Sequence, residues 1–334
     1  MRYRELGKSG IQVSQIALGT WAMGDNKYWG AQEEKASHET IFAALDSGVT
    51  FIDTAEGYGN SEEVIGRALG QRRKEAVIAT KAYGDNLKPE TLPKALETSL
   101  RRLQTDYVDV YYIHWPNLAV PLEDTLGALG RLKEAGKIRA AAICNFGPRK
   151  MKELRSLASR GLVEVVTHQL PYSLLWRAIE GPILEETRAA GMGVVAYSPL
   201  AQGLLTGQWR TIADVPKHIQ VTRYYNSANG IAPHGEAGAE REIFAALDGL
   251  VALCKEAGVT LPQLALAWMF AQPDVVSVLV GARTPAEMRE NAAATEITVS
   301  PAILDRATKL SEPVREKLGP NPDMWMNTAT TRYV

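Results

Sequence analysis

The chain reads as an α/β protein of the (β/α)8 type, a TIM barrel, and three observations lead there. Eight apolar runs of strand length recur at helix-sized intervals, amphipathic stretches fill the intervals, and each run ends on or beside a polar residue able to do chemistry. In a parallel strand-and-helix barrel all strand C-termini lie at one end, so these residues converge on one site.

The runs fall near 15–19, 49–53, 76–81, 107–114, 138–145, 164–170, 193–198 and 275–281. Segments such as YVDVYYI and VVSVLV are nearly continuous in apolar character, as strands covered on both faces must be. Ahead of them, residues 2–13 read as two short strands around Gly7-Lys8-Ser9-Gly10, a β-hairpin too polar for the barrel and suited to cap its lower end. Asn60-Ser61-Glu62-Glu63 offers a capping box before VIGRAL, and Thr260 with Gln263 offers another before LALAWMF. Residues 88–103 and 122–135 carry apolar side chains at helical spacing. Regular β–α alternation favours a closed barrel over an open sheet.

The connection after the seventh strand, residues 199–240, breaks the rhythm and is rich in Gly, Asn, Pro and aromatics. A loop of this length in a compact domain is a lid or binding loop; the bland alternative is a disordered insertion. PAILDRATKLSEPVREKL reads as a last helix, followed by a tail, DMWMNTATTRYV, whose aromatics are placed to pack near the site. With no repeats or linkers, residues 1–334 read as one domain.

A formal charge of -1 with both signs interspersed gives no reason to expect a nucleic-acid or membrane partner. Cys144 and Cys254 sit in apolar segments rather than a disulfide framework, the N-terminus lacks a signal-peptide pattern, and a cytoplasmic protein is expected. The oligomeric state is not legible.

The strand ends carry the chemistry. Asp53, Lys81 and His114 close consecutive runs, and Tyr58 lies in the loop just after Asp53. An unperturbed tyrosine has a pKa of about 10. An ammonium at roughly 4 Å favours tyrosinate by about 4 kcal/mol, on the order of three pKa units, less whatever Asp53 offsets. His114 can donate to the same substrate oxygen, so a carbonyl gaining negative charge at its oxygen is what this quartet is suited to stabilise. Taken singly, Asp53–Lys81 reads as a structural ion pair and His114 as a structural histidine; their conjunction on adjacent strand ends argues for function. Trp21, Trp29, Tyr83, Trp115 and Trp209 fall in or just after strand ends and suggest an aromatic-lined mouth, with Trp21, Tyr58, Tyr83, His114 and Trp115 as the substrate-facing set.

The blocks GTWAMG (19–24), DTAEGYGNSEEVIG (53–66), ATK (79–81), IHWP (113–116), CNF (144–146), AYSPLAQGLLTG (196–207) and VGARTPAEMRENAAA (280–294) resemble the aldo-keto reductase superfamily in order and spacing. That resemblance implies an NAD(P)H-dependent enzyme that interconverts carbonyls and alcohols without metal or flavin. It implies Tyr58 as general acid/base supported by Lys81, Asp53 and His114. It further implies Cys144, Asn145 and Gln169 on the nicotinamide carboxamide and Tyr197 stacked on the ring. It implies Gly19, Thr20, Trp21, Asp53, Ser198, Pro199, Leu200 and Gly203 as further cofactor-binding residues. Gly281, Arg283, Thr284, Glu287, Glu290 and Asn291 are implied at the adenosine end, Glu290 and Asn291 at the adenine.

Two positions depart from the family pattern. Cys144 replaces a common serine, and Gly281 and Glu287 replace basic residues of NADP-favouring members, leaving Arg283 to meet a 2′-phosphate. On that basis NADP(H) is expected ahead of NAD(H). Thr284-Pro285-Ala286-Glu287 is also a helix start with Glu287 as capping acid, a charge that repels phosphate if it faces inward.

The partner is a small carbonyl or alcohol. A cofactor-binding regulatory subunit of the potassium-channel type is one alternative. A barrel lyase or isomerase is another, although only Asp53 and His114 approach a metal-ligand set.

Overall fold

The computed structural model describes residues 1–24, 28–229 and 232–334. Strands β1 (Tyr3–Glu5) and β2 (Gln12–Ser14) pair antiparallel, forming the expected hairpin. Strands β3 (Ile16–Gly19), β4 (Phe51–Asp53), β5 (Val77–Ala82), β6 (Val108–Ile113), β7 (Ile138–Cys144), β8 (Val165–Pro171), β9 (Gly193–Tyr197) and β10 (Val275–Gly281) follow. They close a parallel barrel in chain order, β10 pairing with both β9 and β3. Outside and between them run α1 (Trp21–Gly24), α2 (Glu34–Asp46), α3 (Ser61–Leu69), α4 (Leu92–Leu103), α5 (Leu122–Glu134), α6 (Pro148–Leu157), α7 (Pro182–Ala189), α8 (Glu240–Ala257), α9 (Leu261–Phe270), α10 (Pro285–Ala293) and α11 (Pro301–Leu318).

Alternation along the strands sorts the core in two. Ile16, Leu18, Ile52, Ile78 and Ile143 pack outward with the helices. Ala17, Phe51, Ala79, Ala142 and Val195 form an inner cluster with Leu6, Ile11 and Val13 of the hairpin. The hairpin therefore plugs the lower end. Gly7 (φ +54°) presses so close there that a Cβ would lie 2.5 Å from the Val166 carbonyl oxygen. Two residues further along the inward parity stand Asp53, Lys81, Cys144 and Tyr197, at the upper end.

Local expectations fared differently. The Thr260–Gln263 capping box forms, and the last helix spans Pro301–Leu318 as expected. The one at Asn60 does not: its backbone (φ -96°, ψ 14°) lies outside the extended region an N-cap requires. Ser61 and Glu62 are instead drawn into the core. Helix α4 starts four residues later than 88 because Pro89 holds Lys88 extended (φ -71°, ψ 148°).

The long segment after β9 is packed rather than disordered over its described residues; Gly230 and Ile231 lie outside them. It winds through short 3-10 turns and buries Leu204, Leu205, Tyr224 and Tyr225. Buried Arg223 rivets it to the tail, donating to Glu236 (2.6 Å) and to the carbonyls of Leu318 (2.6 Å) and Asn321 (2.8 Å). Among the described residues, no helix is long and apolar enough to cross a membrane.

Candidate active site

The deepest element of the upper end is an ion pair. Lys81 Nζ donates to Asp53 Oδ1 at 2.5 Å and to the Thr54 carbonyl at 2.7 Å, and Gln169 Nε2 donates to Asp53 Oδ2 at 2.8 Å. Lys81 is fully buried and Asp53 nearly so. Burial pushes the Asp53 carboxyl upward against the opposing pull of Lys81 and Gln169. Burial also works against the Lys81 ammonium, but Asp53 and its other neighbours outweigh it, and the lysine titrates above its ordinary value. Lys81 is the persistent cation of the site.

Tyr58 is delivered to that cation by a tightly constrained loop. A Cβ on Gly24 would overlap the Tyr58 carbonyl, and one on Gly59 (φ +55°) would lie 2.1 Å from the Gly24 carbonyl oxygen, so both glycines are required by close approach. Ser61 Oγ donates at 2.8 Å to Thr20 Oγ1, while Thr54 Oγ1 donates at 2.9 Å to Ser61 Oγ. Buried Glu62 accepts from Thr80 Oγ1 at 2.6 Å and Arg102 at 3.2 Å, anchoring the start of α3 to β5 and α4. Glu62 lies within the expected capping stretch 60–63, and its supporting role shows only once β5 lies beside α3.

Lys81 Nζ stands 5.0 Å from the Tyr58 ring centroid. The ring meets Trp21 (6.0 Å, stacked) and His114 (5.7 Å, edge-on), and His114 in turn meets exposed Tyr83 (6.4 Å). The four expected residues Asp53, Tyr58, Lys81 and His114 are thus brought together. The acidity of the phenol differs from expectation. Burial dominates, Lys81 lowers the pKa, Asp53 and Cys144 raise it, and the net result is a phenol pushed up to about 12. His114 is pushed well below the usual histidine range by burial, by Lys81 and by Arg332, and is neutral near pH 7.

On the opposite wall, Asn145 adopts a left-handed backbone (φ 62°) and is almost fully enclosed. Its Nδ2 donates to the His114 carbonyl at 3.0 Å, while its Oδ1 accepts from the hydroxyls of Tyr197 (2.9 Å) and Tyr333 (2.5 Å). Cys144 is a buried thiol 3.7 Å from Gln169 Oε1, pushed up by burial and so not a thiolate. Behind them His168 accepts from the Phe146 N–H at 3.1 Å and faces Thr187 at 3.0 Å, bracing the turn after β7. The tail aromatics do reach the site: Trp115 packs edge-on against Tyr333 (5.4 Å) and Trp325 (6.5 Å). Arg332 lies 3.7 Å from the Trp115 centroid. Neither Arg332 nor Tyr28, stacked 5.0 Å from Trp21, was anticipated; no spacing rule links them to the strand ends.

The remaining expected cofactor residues fall into three groups. Thr20 is buried, its N–H and hydroxyl both donating to the Asp53 carbonyl (3.1 and 2.8 Å), so it supports the strand end rather than lining a groove; Gly19 precedes it on β3. Past β9 and Pro199–Leu200, the left-handed backbone of Ser198 (φ 56°), Gln202 (φ 55°) and Gly203 (φ 104°) makes a contorted loop. Gln202 Nε2 is buried there without a hydrogen-bond partner. Strained backbone beside an unsatisfied donor is a feature of ligand-holding loops, and this one suits a group rich in acceptors.

After β10, Thr284 caps α10 with Pro285 in the first turn, and Gly281, Glu287 and Glu290 are exposed. Asn291 Nδ2 donates to the Gly281 carbonyl at 3.4 Å. Arg283 is not free: Nη1 and Nη2 donate to the carbonyls of Trp29 (2.6 Å) and Ala31 (2.7 Å). Trp209 lies over Gly203.

Comparison with known proteins points to one family. The model of the aldo/keto reductase family matches residues 15–312. The chain is 34% identical to the aldo-keto reductase YhdN of Bacillus subtilis (strain 168), over 96% of this chain and 97% of that one. It is 35% identical to the NADH-specific methylglyoxal reductase of Escherichia coli (strain K12), over 93% and 99% of the two. The crystal structure of the thermostable aldo-keto reductase Tm1743 with the inhibitor epalrestat superposes with a TM-score of 0.74 at 32% identity, covering 93% of this chain and all of that one. The chain belongs to the aldo/keto reductase family.

Proposed function

We propose that the protein reduces a small aldehyde or ketone to the alcohol, with a nicotinamide dinucleotide as hydride donor and Tyr58 as proton donor. The observation that carries this is the Tyr58 phenol, standing beside a buried Lys81–Asp53 pair and a neutral imidazole at the open end of the barrel. When bound, the cofactor supplies hydride to the carbonyl carbon, and the two electrons of the C=O π bond move to oxygen. The Tyr58 O–H gives its proton to that oxygen, leaving tyrosinate to be reprotonated from solvent. A phenol near 12 is fully protonated at neutral pH yet remains a far stronger acid than an alcohol, so it can quench the nascent alkoxide.

Lys81 stabilises the tyrosinate so formed, and Asp53 keeps Lys81 charged. His114, neutral, can donate an N–H to the same oxygen and fix its direction. Trp21, Tyr83 and Trp115 wall the approach. Asn145, Gln169 and Tyr197 flank the space where the nicotinamide belongs, and the loop 198–203 suits its diphosphate. Small 2-oxoaldehydes are the first substrates to try, since one relative of similar length is named as a methylglyoxal reductase. NADP(H) was the expected form on the strength of Arg283, whose commitment to loop carbonyls removes that support.

The test is Tyr58→Phe. It should lower kcat for methylglyoxal reduction by about 10³-fold or more, within the span of general-acid contributions, while cofactor binding persists. Unchanged turnover would overturn the assigned donor.

A further inference from the structure

We infer that this chain selects NAD(H) over NADP(H), with Glu287 as the selecting residue and Arg283 serving as a clasp rather than a phosphate ligand; this rests on the function proposed above.

Three observations at the start of α10 bear on it. First, both terminal nitrogens of the Arg283 guanidinium are occupied, Nη1 by the Trp29 carbonyl (2.6 Å) and Nη2 by the Ala31 carbonyl (2.7 Å). Gln32 Nε2 returns a bond to the Arg283 carbonyl at 3.1 Å, so the side chain and backbone of Arg283 together hold the segment that leads into α2. A 2′-phosphate would have only the remaining N–H donors of a guanidinium whose direction those two carbonyls already fix.

Second, two amide donors at this helix start already serve the chain's own side chains, and Pro285 at its first position has none. The Arg283 N–H donates to Glu287 Oε2 at 2.7 Å, and Thr284 Oγ1 takes the Glu287 N–H at 3.2 Å. The anion at this terminus is the chain's own carboxylate, which occupies the place a phosphate would seek.

Third, the rest of the helix adds no compensating charge on that side. Glu290 is a second exposed carboxylate one turn on, and the single basic residue of the helix, Arg289, lies about 200° around the axis from Glu287. Glu287 is exposed, and a carboxylate there can accept a hydrogen bond from a ribose 2′-hydroxyl. Toward a 2′-phosphate the same group offers only repulsion. One residue therefore favours the hydroxyl and penalises the phosphate, the two components of a selective site.

The experiment is equilibrium binding, read by quenching of tryptophan fluorescence, with NADH and NADPH as probes on the wild type, Glu287→Gln and Arg283→Met. Wild type should bind NADH at least tenfold more tightly than NADPH. Glu287→Gln keeps an acceptor for the Arg283 N–H but removes the charge; it should narrow that ratio at least threefold, chiefly by tightening NADPH. Arg283→Met should weaken both cofactors by the same factor, as loss of a clasp would. NADPH binding as tightly as NADH in the wild type, an unchanged ratio in Glu287→Gln, or a loss in Arg283→Met confined to NADPH would each overturn the inference. Failure of both cofactors to bind the wild type would instead strike the proposed function itself.

Discussion

The acidity of Tyr58 separates two accounts of this site through the pH dependence of reduction. The bare effect of a nearby ammonium would bring a phenol from about 10 to about 7, and an acid of that kind would begin to lose its proton in mildly alkaline buffer. The folded environment says otherwise: burial outweighs Lys81, Asp53 and Cys144 add to it, and the phenol sits at about 12. The donor is then about 90% protonated even at pH 11. The kcat/KM for methylglyoxal reduction, measured from pH 6 to 11 with circular dichroism confirming the fold at each point, should show no downward limb from Tyr58 below about pH 11. His114, which burial and the nearby cations hold well below the usual histidine range, should add no limb near neutrality either. A fall with an apparent pKa of 7–9, absent from the residual activity of Tyr58→Phe, would refute the balance in which burial wins. The sign for stability follows the same shift. A tyrosine raised when folded contributes stability below its unfolded value near 10, and that contribution is lost as pH climbs from there through about 12.

Two further outcomes concern what holds the site. Asp53→Asn or Lys81→Met strands the other buried charge and should each destabilise the fold by about 3–5 kcal/mol, whereas the double variant should cost clearly less than the sum. Urea denaturation checks this, and additive losses would mean that the pair is not coupled. Arg223→Met removes a buried cation from Glu236 and from two tail carbonyls, and should cost about 2–4 kcal/mol and expose residues 318–333 to limited proteolysis. An intact, protected tail would show that the rivet is dispensable.

The barrel was legible because two physical signals coincide in it. Strands buried on both faces, such as VDVYYI, must be almost wholly apolar, and a parallel sheet must space them by helices, so the eight runs matched the eight strands within two residues at each end. Polar residues closing those runs stood out for the same reason: Asp53 follows Phe51, and Lys81 follows Ala79, on the inward side of strands otherwise devoid of charge. What the sequence could not carry was partnership across long separations. Glu62 looks like an ordinary first-turn helix acid until Thr80 and Arg102 lie beside it. Arg283 looks like a free cation until the Trp29–Ala31 carbonyls are seen to take it. The pKa of Tyr58 failed for a related reason: the charges were countable in the sequence, but the depth of burial was not.

The tail belongs to the site by the same logic. Asp323, fully buried, accepts the backbone N–H groups of Trp325 (3.1 Å), Met326 (3.3 Å) and Arg332 (3.1 Å), as well as the Arg332 side chain (2.7 Å), and so folds residues 323–332 into a fixed turn. That turn lays the guanidinium on Trp115 and sends Tyr333 to Asn145. Gly147 leaves the room this needs, since a Cβ there would come within 2.8 Å of the Tyr333 carbonyl oxygen. Arg332 then faces His114 from the tail while Lys81 faces it from β5, and the two cations together with burial keep the imidazole neutral. A neutral imidazole still offers an N–H to a carbonyl oxygen, and an oxygen that turns negative there meets a positive field from two sides. The charge arrangement around the reacting atom is thus assembled from β4, β5, β6 and a tail more than two hundred residues further along the chain, so loosening the tail should alter reduction even though no tail residue donates the proton.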